Sequence, residues 1–242
     1  LSLWSVITIK IMINHMKLSL LFIFVTTFMS CTSRERQSED GVGRLPDWAF
    51  GGFERPENVN PVISPIDNTW FYCPLTEDSV AWESNDTFNP AATIYDEKIV
   101  VLYRAEDKSG IGIGRRTSRL GYATSVDGVT FQRRSTPVFY PDNDLQKSLE
   151  WPGGCEDPRI AVTVDGLYVM MYTQWNRDIP RLAVATSKDL VHWTKYGPAF
   201  AKAYDGKFYN MACKSGSILT ELIDGRQVIK KVGGKYFMYW GE

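Results

Sequence analysis

The sequence is short of several things that usually announce a function. Its 242 residues contain two histidines, His15 and His192, and neither sits in a metal-ligand or triad pattern. Four cysteines (31, 73, 155, 213) are widely spaced and form no C-x-x-C pair, which argues against a bound metal. A disulfide among Cys73, Cys155 and Cys213 stays open. There is no G-x-S-x-G, H-E-x-x-H or Walker sequence, so the nucleophile elbow, the zincin helix and the phosphate loop drop out as starting points. The net charge is −1, and nothing points to nucleic acid or to an acidic membrane surface. No stretch between the apolar runs sustains a 3.6-residue period, so the body is expected to be all-β.

What is present is apolar and aromatic. At 44% hydrophobic, the chain can build one well-cored domain. Eight Trp and twelve Tyr suit a protein that stacks sugar rings, and they suit an ordinary β core equally well.

The start of the chain has its own character. Met16–Cys31, "MKLSLLFIFVTTFMSC", has a lysine, a short apolar run, then small residues before a cysteine. It predicts a secretory signal over residues 1–31 ending in a lipoprotein site, with Cys31 lipidated and residues 1–15 as upstream translation. Phe28 stands where Leu is usual, and the alternative of a membrane anchor has a short apolar run against it. Polar residues 32–47 read as a tether, and residues 48–242 as the domain. The expected location is outside the cytoplasm, with the membrane touched only through a lipid anchor.

The domain repeats itself. Arg119–Phe131, "RLGYATSVDGVTF", returns as Arg181–Trp193, "RLAVATSKDLVHW". Each copy alternates like a strand, turns at Ser-x-Asp, and closes on an aromatic that starts another strand. A second element recurs as Lys98–Arg104, Leu167–Thr173 and Lys235–Gly241, with tyrosines at 103, 172 and 239. Several short strands in a period in the sixties are what a β-propeller blade looks like. A β-sandwich with two similar hairpins is the alternative. The third copy ends at Glu242 with no turn or following strand, so two and a half to three blades are expected here, from a longer, C-terminally truncated propeller.

Between the repeats lie segments with chemistry in them. "EWPGGCEDPRI" (Glu150–Ile160) predicts a rigid loop holding Glu156, Asp157 and Arg159. A neighbouring cation would keep a carboxylate ionised there, whereas an apolar wall such as Trp151 would make it a proton donor. The bland reading is a turn, since Glu-Asp-Pro-Arg is ordinary turn composition. Asn89 opens one strand, and Arg104, Glu106 and Asp107 close the next, where forked polar groups could meet sugar hydroxyls; the bland reading is a solvated charge cluster. Trp175 with Asn176 and Arg177 suits stacking and hydroxyl contacts. Lys214 interrupts a small, apolar stretch, and a lone lysine is usually surface.

These segments in order, "NPAA…YRAEDKSG…SRLGYATSVDG…PGGCEDPRI…RLAVATSKDLVHW…KSG…KYFMYWGE", resemble glycoside hydrolase family 130, the β-mannoside phosphorylases and β-1,2-mannosidases, from about residue 85 to 242. The resemblance implies a five-bladed β-propeller, which needs more than roughly 300 residues. It also implies that Asp157 is the general acid, acting through a sugar hydroxyl. Asn89 and Arg104 would hold the mannosyl unit, Asp107 and Arg119 would lie beside the same pocket, and Lys214 would be a cation near the nucleophile. Both branches invert configuration, one with phosphate and one with water. Phosphorolysis needs a cluster of cations, whereas hydrolysis needs a carboxylate base roughly 6.5–9.5 Å from the acid. Glu242 in "MYWGE" looks like that base. The expectation is therefore an inverting β-1,2-mannosidase acting on mannose-containing oligosaccharides, with no metal and no cofactor. The alternatives are a mannosyl phosphorylase, for which inorganic phosphate is the co-substrate, and a non-catalytic glycan-binding propeller.

Overall fold

The computed structural model describes residues 55–241. Cys31, the tether, the signal segment and Glu242 lie outside the described residues. The described part is strands and turns with one four-residue helix, Lys147–Glu150, and is all-β.

A small hairpin, β1 (Phe71–Cys73) and β2 (Asp78–Val80), precedes the first antiparallel meander. That meander is β3 (Asp86–Tyr95), β4 (Lys98–Glu106), β5 (Ser118–Ser125) and β6 (Gln132–Arg133). A second meander follows in the same order: β7 (Gly154–Val162), β8 (Tyr168–Trp175), β9 (Arg181–Ser187) and β10 (Trp193–Pro198). The duplicated thirteen residues are thus the third strand, the turn and the start of the fourth strand of each meander. In both turns the serine Oγ and the aspartate Oδ1 accept backbone N–H groups. Asp127 takes those of Val129 and Thr130 at 2.9 and 2.8 Å, and Asp189 takes those of Val191 and His192 at 2.9 and 2.8 Å.

The third unit differs from expectation. Lys235–Gly241 is two strands: β15 (Lys235–Tyr236), which pairs with β14 (Lys231–Val232), and β16 (Met238–Gly241), which pairs with β11 (Lys214–Ile218). A hairpin of β12 (Thr220–Ile223) and β13 (Arg226–Ile229) lies between them. Register also moves the third aromatic by one residue. Tyr103 and Tyr172 stand opposite the bulges of β3 and β7, and Trp240 stands opposite that of β11. Tyr239 pairs with Ser217 and is largely exposed.

Strands β4 and β8 are apolar on both faces because each meander lies between two apolar layers. Val100 and Leu102 meet Ile160, Met170 and Tyr172 of the second meander. Val101, Tyr103 and Ala105 face Phe71, Cys73 and Trp82. Met171 faces Leu182, Cys213 and Met238. Single parallel bridges, Ser118–Gly154 and Val162–Val228, link the units, and among the described residues no sheet closes on itself. No disulfide joins Cys73, Cys155 and Cys213, all buried.

A buried polar triad repeats with the strands. The Tyr103 hydroxyl donates to Glu83 at 2.8 Å, and Arg133 of β6 reaches the same carboxylate at 3.0 Å. The Tyr172 hydroxyl donates to Glu150 at 2.8 Å, and Lys195 of β10 reaches it at 2.5 Å. Arg133 and Lys195 occupy the same register position, opposite Ala123 and Ala185. Burial pushes the Glu150 carboxyl up, against the pull of Lys195.

Candidate active site

The first strand of each unit carries a bulge at the same place. Register breaks between Phe88 and Ala91, between Glu156 and Arg159, and between Lys214 and Ser217. The residue that enters each bulge has positive φ: Asn89 at 43°, Asp157 at 50° and Ser215 at 58°. A proline or glycine follows each of them (Pro90, Pro158, Gly216), which a bulge tolerates and a regular ladder does not. β3 and β11 both pack beside β7. Three non-glycine residues in a left-handed conformation, at matched positions of neighbouring strands, mark a strained site.

Gly154–Val162 is strand rather than the expected rigid loop, because the bulge absorbs Asp157 and Pro158 without ending the strand. The glycine requirement lies just before it. Gly154 has φ of 119°, and a Cβ there would stand 2.2 Å from the Ser118 carbonyl oxygen.

Asp157 is met from two sides. The Asn89 side-chain amide donates to its Oδ1 at 2.8 Å, and Arg104 Nη1 donates to the same oxygen at 3.1 Å. Oδ2 takes neither bond. Arg104 is 4% exposed and forms the hub of the site. Its Nη2 contacts Glu106 at 2.6 Å and Glu156 at 2.7 Å, its Nε donates to the Ser118 hydroxyl at 3.0 Å, and its guanidinium lies 4.5 Å from the centre of the Phe88 ring. Arg116 supports Glu106 from behind at 3.2 Å and also pairs with Asp86. Although burial opposes its charge, the three carboxylates hold Arg104 firmly protonated. Burial pushes Glu156 up to about 7, against the pull of Arg104 and with the push of Asp157.

The expected site residues therefore separate. Asn89, Arg104 and Asp157 come together. Asp107 and Arg119 do not join them. Side chains alternate along a strand, so Arg104 and Glu106 continue the Val100–Leu102 face of β4 while Asp107 falls on the other. There Asp107 pairs with Arg119 at 2.7 Å, and Arg119 also donates to Cys73 Sγ at 3.6 Å. With Arg119 1% exposed, the pair braces the layer beneath the site. Trp175 is a rim residue. Its Nε1 donates to the Gly114 carbonyl at 2.9 Å and its ring lies against Gly153, so it anchors the β4–β5 connection. Lys214 opens β11, is exposed, and makes no hydrogen bond or ion pair with the Arg104 cluster.

Sequence reading singled out Glu106 and Glu156 without giving either a role, and passed over Ser118 and Ser215. The signal available was the recurrence of Asn-Pro, Asp-Pro and Ser-Gly ahead of an apolar run, which marks the three bulges. Among the described residues, no group of three or more His, Cys, Asp or Glu could hold a metal ion.

A buried set of carboxylates gathered on one forked cation, on an all-β frame, is equipment for general acid–base chemistry of the kind that breaks glycosidic bonds. The chain belongs to glycoside hydrolase family 130: the family model described as beta-1,4-mannooligosaccharide phosphorylase matches residues 53–242. A 1,2-beta-oligomannan phosphorylase of Thermoanaerobacter sp. (strain X514) is 38% identical over 156 residues, 61% of this chain and 46% of that protein. A solved glycosyl hydrolase from Bacteroides ovatus is 82% identical, with a TM-score of 0.79 over 81% of this chain and 55% of its own. Another solved structure, 80% identical with a TM-score of 0.79 and covering 81% of this chain and 55% of its own, comes from work stating that this family of mannoside phosphorylases contains glycoside hydrolases that target beta-1,2 mannosidic linkages in Candida mannan. The chain spans about half the length of the relatives it matches.

Proposed function

We propose that this chain supplies the acid side of an inverting glycoside hydrolase that releases mannose from β-1,2-linked mannosides, with Asp157 as the general acid. One observation carries the reading. Asp157 is anchored through Oδ1 by Asn89 and Arg104, while Oδ2 takes neither of these bonds. Asn89 and Arg104 fix the acid and offer N–H groups to sugar hydroxyls. The base in this reading is Glu242, which follows Gly241 at the end of β16 and lies outside the described residues. The frame in this reading is a five-bladed propeller, each meander being one blade. The leader from Met16 to Cys31 makes the protein an exported, lipid-anchored one, facing mannose-containing oligosaccharides.

Water is preferred to phosphate because, among the described residues, the Arg104 cluster has no spare cation. Its two guanidiniums, Arg104 and Arg116, already serve Glu106, Glu156, Asp157 and Asp86. The 80%-identical structure from work on hydrolases of β-1,2 mannosidic linkages supports the same choice. The phosphorylase reading has the 38%-identical oligomannan phosphorylase in its favour.

The test is product analysis on β-1,2-mannobiose with the intact protein. Mannose released equally with and without phosphate is expected. Mannose 1-phosphate formed only with phosphate would transfer the assignment to the phosphorylases, and binding without turnover would leave a lectin. Asp157→Asn should lower turnover by roughly 10²–10⁴ with the fold intact; full activity in that variant would remove Asp157 from the acid role.

A further inference from the structure

Glu156 and Asp157 are consecutive in the chain and end on the two prongs of one guanidinium, Glu156 on Arg104 Nη2 at 2.7 Å and Asp157 on Nη1 at 3.1 Å. A bulge makes this possible. In a regular strand neighbouring side chains point to opposite faces, and the positive φ at Asp157 turns both acids to one side. The charged and polar groups around them are few. β4 brings Arg104 and Glu106, β5 brings Ser118, and Arg116 stands behind Glu106. Lys214 of the neighbouring β11 is exposed and bonded to none of them.

Counting donors shows what the cluster lacks. Glu106 takes both Arg104, at 2.6 Å, and Arg116, at 3.2 Å, whereas Glu156 and Asp157 pair with Arg104 alone. Asp157 takes two N–H bonds. Glu156 takes one N–H bond and stands 3.2 Å from the Ser118 hydroxyl, whose single proton also faces Glu106 at 3.2 Å. Both acids are buried, and two adjacent carboxylates on one cation cannot both stay ionised without a large electrostatic penalty. Asp157 bonds through Oδ1 and Glu156 through Oε1, so each has a second oxygen outside these bonds.

We propose that Glu156 and Asp157, held on the two prongs of Arg104, share one proton, so that Glu156 sets the pH range in which Asp157 serves as the acid. The inference rests on Asp157 being the acid. Glu156 is a positioning residue in this scheme. In each turnover the pair gives one proton to the leaving oxygen through Asp157, water supplies the hydroxyl to the sugar and its proton to the base, the base releases that proton to solvent, and the pair regains one from solvent. Interacting acids of this kind show apparent ionisations that belong to the pair.

The test combines carboxyl ¹³C NMR of the labelled intact protein with pH profiles of kcat/KM on β-1,2-mannobiose, for the wild type, Glu156→Gln and Asp157→Asn. In the wild type one carboxyl should titrate near 7. Asp157→Asn should move it acidward by about one unit or more, because a like charge is gone. Glu156→Gln should remove it and move the alkaline limb of kcat/KM acidward by a similar amount. A Glu156 titration that ignores Asp157→Asn, or a limb that stays within about 0.2 units in Glu156→Gln despite a coupled NMR titration, overturns the proposal. A coupled titration in a protein that still turns over as Asp157→Asn removes Asp157 from the acid role and leaves the shared proton standing. The NMR arm decides the coupling even where turnover is absent.

Discussion

Asn89 and Asp157 hold the same structural position in two successive units, and they touch: the amide of one donates to the carboxylate of the other at 2.8 Å. Each sits at positive φ in the bulge of a first strand, with proline next in the chain. The duplication that built the fold therefore also built the two sides of the site. One copy kept a neutral amide, and the other carries an acid.

Arg104 should be irreplaceable by lysine. Its fork meets Asp157, Glu156 and Glu106 from separate nitrogens, and an ammonium cannot reproduce that geometry. Arg104→Lys is expected to lower kcat/KM at least a hundredfold and to cost about 1–3 kcal/mol of stability, the scale of the charged hydrogen bonds that a single ammonium cannot replace. Urea unfolding alongside mannobiose kinetics checks both; a stable, active lysine variant would show that the hub is dispensable.

Gly154→Ala should be among the most damaging single-methyl changes in the domain. The new Cβ would press on the Ser118 carbonyl, backbone that cannot swing aside, in a conformation that L side chains rarely adopt. A loss of about 2 kcal/mol or more is expected in chemical denaturation. Gly166→Ala shares the positive φ but meets no atom within 4 Å, so it should cost clearly less.

Lys195→Met tests the buried triads. Glu150 is fully buried and would be left with only neutral partners, Tyr172 and Gln174. Destabilisation of about 3–5 kcal/mol is expected. Lys195→Met together with Glu150→Gln should recover part of that loss in a double-mutant cycle, because the orphaned charge is gone; an additive cycle would show that the pair does not interact.

Stability should fall as pH rises from about 5 to 8. The folded-state carboxyl of Glu156 sits above its ordinary value, at about 7, so the native state binds a proton there that the unfolded chain releases. That contribution is complete below the unfolded value of about 4.5 and is lost on passing through 7, a difference on the order of 3 kcal/mol. Glu156→Gln should flatten this part of the curve of unfolding free energy against pH. An unchanged slope would assign it to other groups.

How much of this was legible in the residues can be judged element by element. The pair Arg119–Phe131 and Arg181–Trp193 determined two matching meanders, because alternation, a Ser-x-Asp turn and a following aromatic are local instructions. Asp157, Asn89 and Arg104 stood out through composition and family resemblance. Their meeting could not be read, since it joins atoms on three strands separated by tens of residues. Asp107 and Arg119 show the limit most clearly. Asp107 adjoins Glu106 and Arg119 adjoins Ser118, yet their side chains fall on the opposite face of the sheet, and a one-residue step decides between brace and site. The bulges in β3, β7 and β11 are the same kind of decision. Asn-Pro, Asp-Pro and Ser-Gly permit them, but only the packing of first strands beside one another makes a left-handed residue at each bulge worth its strain. The sequence by itself determined the strands, their turns and the candidate acid. The tertiary structure alone decided which faces meet, and so which charges share one cation, because that depends on register and burial across the chain.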